Sequence, residues 1–469
     1  MKIKLYNTMS RQVQEFKPLI ENKAKVYACG LTVYNFAHIG NLRTYIFEDI
    51  LRRVLEYADY EVEHVMNVTD VGHLTDDADS GEDKMLKSAR EKRKTVWEIA
   101  EFYSKAFFKD IEKLNILIPT VVCKATDHIG DMIDLIKKIE DNGYTYNSGG
   151  NVYFDISKLS DYGKLARLNL DELKAGARIQ VDENKKNPFD FVLWFTKSKF
   201  KNQVMIWDSP WGKGYPGWHI ECSAMSIKYL GEEFDIHCGG IDHVSVHHTN
   251  EIAQSEAATG KNWVNYWLHG EYLLMGKNKM AKSSGKFLTL EELQKRGYEP
   301  LDYRYYLLGA HYRTQLEFSF DALAAAKNAF SKLKERIINI KEEAVRVNPE
   351  TANGKAKVYL DSFLDNAFND MNMPKCLSDL WGLIKDNSIK PSEKLPVLYE
   401  MDKILSLGFK DLEKRNISIN KEVEELIAKR EEARKNKDYK KADEIRDFLK
   451  EKGIILRDTP DGIVLDKIK

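Results

Sequence analysis

Cysteine is scarce in this chain, and none of it forms a C-x-x-C clamp. The five residues Cys29, Cys123, Cys222, Cys238 and Cys376 are an odd number scattered over 469 positions. That distribution excludes a disulfide framework and points to a reducing, cytoplasmic setting. No apolar run is long enough to span a bilayer. The opening Met1-Lys2-Ile3-Lys4-Leu5-Tyr6 lacks the apolar stretch of a secretory signal. Charge of one sign is missing as well. The 72 Lys and Arg against 73 Asp and Glu leave a net charge of −1, so the chain as a whole does not attract nucleic acid, and any RNA contact must come from local basic patches. Internal repeats and low-complexity segments are also absent.

What is present is a large soluble chain, 43% hydrophobic and 31% charged, long enough for about three domains. Lys25 to Ala28 reads as a buried strand, Gly30 to Ala37 as a turn and Gly40 to Tyr57 as a helix. In that helix Ile46, Ile50, Leu51, Val54 and Leu55 recur at helical spacing. The alternation over Glu61 to Val68 predicts a second strand. Strand, turn, helix, strand opens a parallel α/β sheet. Helices are expected over Thr95–Leu114 and Thr126–Asn142. Short strands and polar loops through Val192-Leu193-Trp194 then read as an insertion, after which the sheet resumes near Met205 and runs through Phe234-Asp235-Ile236-His237. Beyond Phe287 the chain is almost wholly helical: Asp321–Val345, Ala356–Phe368, Lys375–Asp386, Ser392–Leu405 and one or two helices in Lys421–Lys452. Thr459-Pro460-Asp461-Gly462 is a hairpin turn between the last two apolar runs. The boundaries implied are 1–118 and 205–265 for the halves of the sheet domain, 119–204 for the insertion, 266–320 for a loop-bearing connection, 321–418 for a helical bundle and 419–469 for a small α+β domain.

Two stretches carry phosphate chemistry. His38-Ile39-Gly40-Asn41 lies at the strand-to-helix turn, where backbone N–H groups and the helix dipole favour an anion. Lys279-Met280-Ala281-Lys282-Ser283-Ser284 places two lysines on a loop of small and polar residues, suited to closing over a polyphosphate. A solvated basic loop is the competing reading. Gly239-Gly240-Ile241-Asp242 follows a strand; the glycines permit close approach and Asp242 could take ribose hydroxyls, although an ordinary turn has the same pattern.

A metal set is also discernible. His247 and Glu251, four apart on a helix ending at Gly260, share one face. Cys222 opens another helical stretch, and Cys29 ends the first strand of the sheet. Strand C-terminal ends converge on one crevice, so two thiolates, an imidazole and a carboxylate form a plausible zinc set. The opposing reading is that a cysteine at a strand end is a small buried hydrophobe. Cys238 is assigned no ligand role, and His248 is expected to face elsewhere on its helix. Downstream, Lys332, Lys334, Arg336, Lys341 and the cluster Arg430, Arg434, Lys435, Lys437, Lys440, Lys441 are basic patches or simply solvated helix faces.

The two phosphate stretches together resemble the paired signatures of class I aminoacyl-tRNA synthetases. Cys29-Gly30-Leu31-Thr32-Val33-Tyr34, Gly217-Trp218-His219-Ile220-Glu221-Cys222-Ser223-Ala224-Met225 and His247-His248-Thr249-Asn250-Glu251-Ile252-Ala253-Gln254-Ser255 look like hallmark segments of the cysteinyl-tRNA synthetase family. The resemblance runs from Tyr6-Asn7-Thr8 to the last hairpin. It implies a Rossmann-type catalytic domain with an inserted connective domain, a tRNA-binding helical bundle and a small anticodon-binding domain. It implies ATP-dependent activation of L-cysteine to cysteinyl-adenylate, with Mg²⁺, and transfer to the 3′-terminal adenosine of tRNA(Cys). It implies one zinc on Cys29, Cys222, His247 and Glu251 that selects the substrate thiolate over serine. His38, Lys279 and Lys282 would be catalytic. Gly40, Asn41, Gly239, Gly240, Asp242 and Lys282 would hold the nucleotide. Cys29, Gly30, Thr32, Thr69, Trp218 and His219 would line the cysteine pocket. A monomer is implied. Two departures stand out: the first signature ends in Asn41 in place of histidine, and the second has Ala281 in place of serine. The segment Val71 to Lys84 replaces a shorter acidic segment of better-known relatives, and reads as a solvated acidic loop in preference to a divalent-metal loop. An amino-sugar ligase with the same adenylate chemistry, or a non-catalytic RNA- or zinc-binding paralogue, are the rival readings.

Overall fold

The computed structural model describes residues 2–72, 84–168, 183–197, 203–276, 278–279, 288–345, 354–413, 421–451, 454–459 and 462–467. They fall into two compact units, Met1–Lys410 and Asp411–Lys469.

The first unit opens with a hairpin, β1 (Lys4–Asn7) and β2 (Gln12–Glu15), followed by β3 (Lys23–Ala28), α1 (Ile39–Tyr57) and β4 (Glu61–Val68). Next come α2 (Lys84–Lys92), α3 (Val96–Lys113), β5 (Val121–Lys124) and α4 (Ile129–Asp141). Four short strands, β6 (Thr145–Ser148), β7 (Asn151–Phe154), β8 (Phe191–Phe195) and β9 (Tyr215–Pro216), lead to α5 (Trp218–Leu230), β10 (Phe234–Gly240), α6 (His247–Thr259) and β11 (Val264–Gly270). Beyond them lie β12 (Leu273–Met275), β13 (Asn278–Lys279), α7 (Leu290–Lys295), α8 (Pro300–Leu308), β14 (Leu316–Phe318), α9 (Phe320–Val345), α10 (Gly354–Phe368), α11 (Met373–Lys385) and α12 (Pro391–Leu405).

The main sheet is parallel throughout, in the order β11-β10-β3-β4-β5. Its strands are apolar on both faces, as a sheet covered by helices requires: Val26, Tyr27 and Ala28 of β3 and Phe234, Ile236 and Cys238 of β10 are all buried. The chain moves outward from β3 to β4 and β5, then returns to the other side of β3 for β10 and β11. The reversal places the switch point, and so the ligand crevice of this architecture, between the ends of β3 and β10.

The α/β expectation holds, with local differences. Val121–Lys124, inside the span expected to be the insertion, pairs in parallel with β4 and is an edge strand of the main sheet. The antiparallel sheet β6-β7-β8-β9 spans 145–216, so its last strand lies beyond residue 204. The main sheet resumes at Phe234 rather than near Met205, and Met205 is a core residue packed with Val96, Ile99 and Tyr103 of α3. Its burial reads like that of a strand residue, but it plugs a helix-lined core. The N-terminal hairpin, too short for a periodic signal, was not foreseen.

Within the helical half, α9 packs on α8 and α12, and α10 on α11. This half is joined to the signature helix α1 by one buried ion pair. Arg304 of α8 and Asp49 of α1 are fully buried side chains with Nη2 and Oδ2 2.6 Å apart. Arg304 also donates to the carbonyls of Leu405 and Leu114 at 2.8 and 3.0 Å. Asp49 accepts from Leu117 N at 2.8 Å and Arg53 Nε at 2.9 Å. Burial alone would raise the Asp49 pKa, but the Arg304 and Arg53 guanidiniums outweigh it and hold it below the usual value.

The second unit contains α13 (Lys421–Lys435), α14 (Tyr439–Glu451) and the hairpin β15 (Ile454–Thr459)/β16 (Gly462–Lys467). Val423, Leu449 and Leu456 form its core. In the basic cluster of this unit Arg430 is buried, whereas Arg434, Lys435, Lys437, Lys440 and Lys441 are exposed. The Pro460-Asp461 turn and the acidic residues 73–83 lie outside the described residues.

Truncating Asp49 to Ala strands the Arg304 charge in the interior, and the expected loss is about 3–5 kcal/mol in denaturant unfolding. Because the folded pKa of Asp49 is depressed, its stabilisation is present above roughly pH 4, the unfolded value, and disappears as pH falls through the lower folded value. Asp49→Asn is therefore expected to flatten the acid limb of the stability profile below that pH, and an unchanged limb would refute the assignment.

Candidate active site

The crevice is built where β3 and β10 end. Cys29 N donates to the Cys238 carbonyl at 3.3 Å, carrying the β3–β10 pairing one residue past β3. Gly30 N donates to Asn67 Oδ1 at 2.8 Å. A Cβ on Gly30 would lie 1.5 Å from the Asn67 carbonyl oxygen, so only glycine fits where β3 turns beside β4.

Helices α5 and α6 face this point. Cys222 sits in the second turn of α5 rather than at its start. The four expected ligands converge. Cys29 Sγ is 3.9 Å from Cys222 Sγ and 4.0 Å from Glu251 Oε1, Cys222 Sγ is 3.6 Å from His247 Nε2, and His247 Nε2 is 2.7 Å from Glu251 Oε1. All four are buried, and their donor atoms lie within 4.8 Å of one another. A second group shares Cys29 and Glu251 with His237 and His248. The expectation that His248 faces elsewhere is corrected here: its Nε2 is 3.3 Å from Cys29 Sγ. With α6 buried on nearly every face, adjacent residues 247 and 248 both reach the crevice.

A histidine shell holds these groups. His219 Nδ1 lies 2.8 Å from His247 Nδ1, leaving His247 Nε2 aimed at the thiols. His237 Nε2 lies 2.8 Å from the second Glu251 oxygen. His248 Nδ1 is 2.9 Å from His269 Nε2, and His269 Nδ1 is 2.8 Å from Thr8 Oγ1. Six of the chain's 11 histidines, at 219, 237, 243, 247, 248 and 269, thus gather at one crevice. The sequence-based reading missed His237, His248 and His269. The available signal was this concentration of histidines between positions 219 and 269.

The electrostatics follow from burial and contact. Hydrogen bonding from Cys29 lowers the Cys222 thiol pKa. Burial, with Cys222 alongside, pushes Cys29 well up. Burial would raise Glu251, but His247 and His237 overcome it and hold its carboxyl at about 2. Burial works against charge on His247, yet Glu251 and Cys222 keep its pKa well above the ordinary value. Burial drives His248 and His269 well below theirs. The site therefore presents an ionised Glu251 carboxylate, a Cys222 thiol biased towards thiolate, and a His247 imidazole that holds a proton against them; a borderline-soft cation would displace that proton and take the same donors.

The first phosphate signature forms the start of α1. His38 is its N-cap: His38 Nδ1 accepts from Asn41 N at 3.0 Å, and His38 N donates to Asn41 Oδ1 at 3.2 Å. Acceptance at Nδ1 puts the ring proton of a neutral His38 on Nε2. A Cβ on Gly40 would meet His38 Nδ1 at 3.0 Å, so the glycine makes room for the histidine ring. Likewise a Cβ on Gly239 would lie 2.7 Å from His243 Nδ1, and one on Gly240 would lie 2.4 Å from Asp242 Oδ1. These three glycines thus accommodate neighbouring side chains. Asp242 is exposed just beyond β10. Thr32 bridges Thr69, whose Oγ1 accepts from Asn67 Nδ2 at 2.9 Å. The Trp218 ring lies over His247 with centroids 4.5 Å apart. Lys279 is in β13, while Lys282 lies outside the described residues.

Residues 15–328 match the family model "tRNA synthetases class I (C) catalytic domain", and residues 418–463 match "Cysteinyl-tRNA ligase anticodon binding domain". A cysteine–tRNA ligase from Treponema denticola is 56% identical, with 98% of each chain covered. One from Borrelia turicatae is 46% identical over 98% of this chain and 99% of its own. Among solved structures, Mycobacterium tuberculosis methionyl-tRNA synthetase in complex with methionyl-adenylate shares the fold. Its TM-score is 0.59 at 16% identity, covering 83% of this chain and 91% of that one.

Gly30→Ala cannot keep both its backbone path and the Asn67 carbonyl where they are. The variant is expected to lose several kcal/mol of stability, or to shift the Cys29 turn away from β4. A wild-type unfolding midpoint together with wild-type activity would contradict this packing.

Proposed function

The chain belongs to the cysteine–tRNA ligase family of class I aminoacyl-tRNA synthetases, and from that premise we propose how its crevice selects and activates cysteine. The enzyme joins cysteine to tRNA at the expense of ATP. The observation that carries the reading is the convergence of Cys29, Cys222, His247 and Glu251 from two separate helices and a strand-end turn.

Zinc fits this set. Two soft thiols, one imidazole and one carboxylate match its preferred donors, and His219 and His237 orient the imidazole and carboxylate from behind. Of the two groupings, the one with both thiols suits zinc better than the one with two histidines and a single thiol. When bound, zinc supplies a Lewis acid that favours sulfur over oxygen. A pocket relying on shape would separate cysteine from serine only modestly. Trp218, Thr32 and Thr69 would shape the rest of the amino-acid pocket.

Activation consists of attack by the cysteine carboxylate on the α-phosphorus of ATP, with pyrophosphate leaving. No protein nucleophile is required, and catalysis is positioning plus charge stabilisation. His38 would donate Nε2–H to the phosphates, Lys279 and Lys282 would neutralise charge on the leaving group, and Asp242 would hold the ribose. Mg²⁺ would accompany the pyrophosphate. Asn41 serves through the N-cap rather than as a charged group. Residues 119–204 would be the connective insertion, 266–320 would meet the acceptor stem, and 321–418 together with 419–469 would carry the tRNA and its anticodon. The match of 418–463 to an anticodon-binding model favours tRNA over an amino-sugar acceptor. We place the enzyme in the cytoplasm as a monomer.

Cysteine-dependent ATP–pyrophosphate exchange tests this reading, with serine as competitor and zinc quantified. Native protein is expected to hold about one zinc and to exchange with cysteine alone, and Cys222→Ser is expected to lose both. A variant that keeps its zinc and still rejects serine would remove Cys222 from the ligand set.

A further inference from the structure

A basic and aromatic patch stands beside the signature turn, on the hairpin of α2 and α3. Between residues 87 and 98 the chain carries Lys87, Arg90, Lys92, Arg93 and Lys94 against only Glu91 and Glu98, a local net charge of +3 in a molecule of −1. Two large aromatic side chains in the first two turns of α3 are open to solvent: Trp97 is 50% exposed and Phe102 43% exposed. Lys94 Nζ sits 4.9 Å over the Phe102 ring, and Lys92 Nζ 5.1 Å over Tyr103. The turn is a built feature. Arg93 takes the left-handed conformation at φ 53°, and Thr95 closes a capping box with Glu98.

The patch is also coupled to the site. Phe102 meets Phe36 edge-on at 5.9 Å, and Phe36 meets Tyr103 at 5.0 Å and 88°. Phe36 lies two residues before His38. Beneath it, Val33 of the crevice turn and Val68 at the end of β4 pack with Met85, Val96 and Tyr103 in one core. The patch thus packs directly on the turn that would hold the nucleotide.

We infer that this surface, centred on Lys92, Lys94, Trp97 and Phe102, docks the unpaired 3′ end of the substrate RNA as it enters the crevice. Phosphates of any nucleic acid would be satisfied by the cations alone. Solvent-facing rings within a cationic surface suit unstacked bases, which duplex RNA does not offer. The position beside His38 lies where the terminal adenosine must arrive. The inference rests on the reading that the enzyme charges tRNA.

The test uses Trp97→Ala and the double variant Lys92→Glu/Lys94→Glu in the full chain. Three quantities are measured: RNA-free cysteine-dependent exchange, kcat/KM for aminoacylation of a tRNA transcript, and affinity for that transcript with and without its unpaired 3′ nucleotides. Exchange is expected to stay within about twofold of native, while aminoacylation falls about tenfold or more, the scale of one lost stacked base. Affinity for the intact transcript should fall, and affinity for the trimmed one should not. The inference is overturned if exchange falls in step with aminoacylation, since the patch then only props the His38 turn. Unchanged aminoacylation, or equal losses for intact and trimmed RNA, also overturns it. A native protein with no exchange would sink the proposed function, while the two affinities would still decide the patch.

Discussion

The Asp49–Arg304 pair is the joint on which this molecule turns. One carboxylate on the signature helix and one guanidinium on α8 fasten four chain segments: α1, the end of α3, α8 and the end of α12. Both charges are removed from water, so neither is tolerated without the other, and the donors and acceptors left over are satisfied by backbone groups. The orientation of α1 relative to the helical half follows from this arrangement. Since His38 caps α1, the pair also fixes where the first phosphate signature points.

A second constraint acts at the N-terminal end of α1. The crevice has little free backbone: Gly30, Gly40, Gly239 and Gly240 are each pressed by a neighbouring carbonyl or side chain. Space that glycines were expected to leave for the nucleotide is in part occupied by His38, His243 and Asp242. The same crowding explains why the histidines form a connected shell. The imidazoles of His248 and His269 are buried, and a buried ring nitrogen favours a partner, so Thr8, His269, His248 and Cys29 are linked in series.

Much of this was legible in the sequence, for identifiable reasons. Strand Glu61–Val68 and the helix after Gly40 have strong periodicity, and the structure places them within a residue or two. The pair His247/Glu251 could be read from its spacing alone, because four residues on a helix fixes a common face. Other features could not. Cys29 and Cys222 meet only because β10 returns beside β3, and no local pattern encodes that return. His248 was misplaced because facing rules assume a helix with one wet side, and α6 has none. Met205 was taken for a strand because burial has the same composition in a strand as in a plug. The hairpin β1–β2 is too short to announce itself, yet it supplies Thr8 to the histidine series.

The order of the main sheet has a consequence for synthesis. Strand β3 ends as an interior strand, but its neighbour β10 begins at Phe234, more than two hundred residues later. At about 5–20 residues per second, β3 has no partner on that side for roughly 10–40 seconds while the ribosome makes the rest. For that interval it is an edge, with Cys29 bare at its tip. Lys25, whose ammonium finds the Leu230 carbonyl only when the chain reaches β10, is the kind of residue that keeps a temporary edge from pairing with a stranger. The same lysine would then guard the half-made chain and brace the finished one.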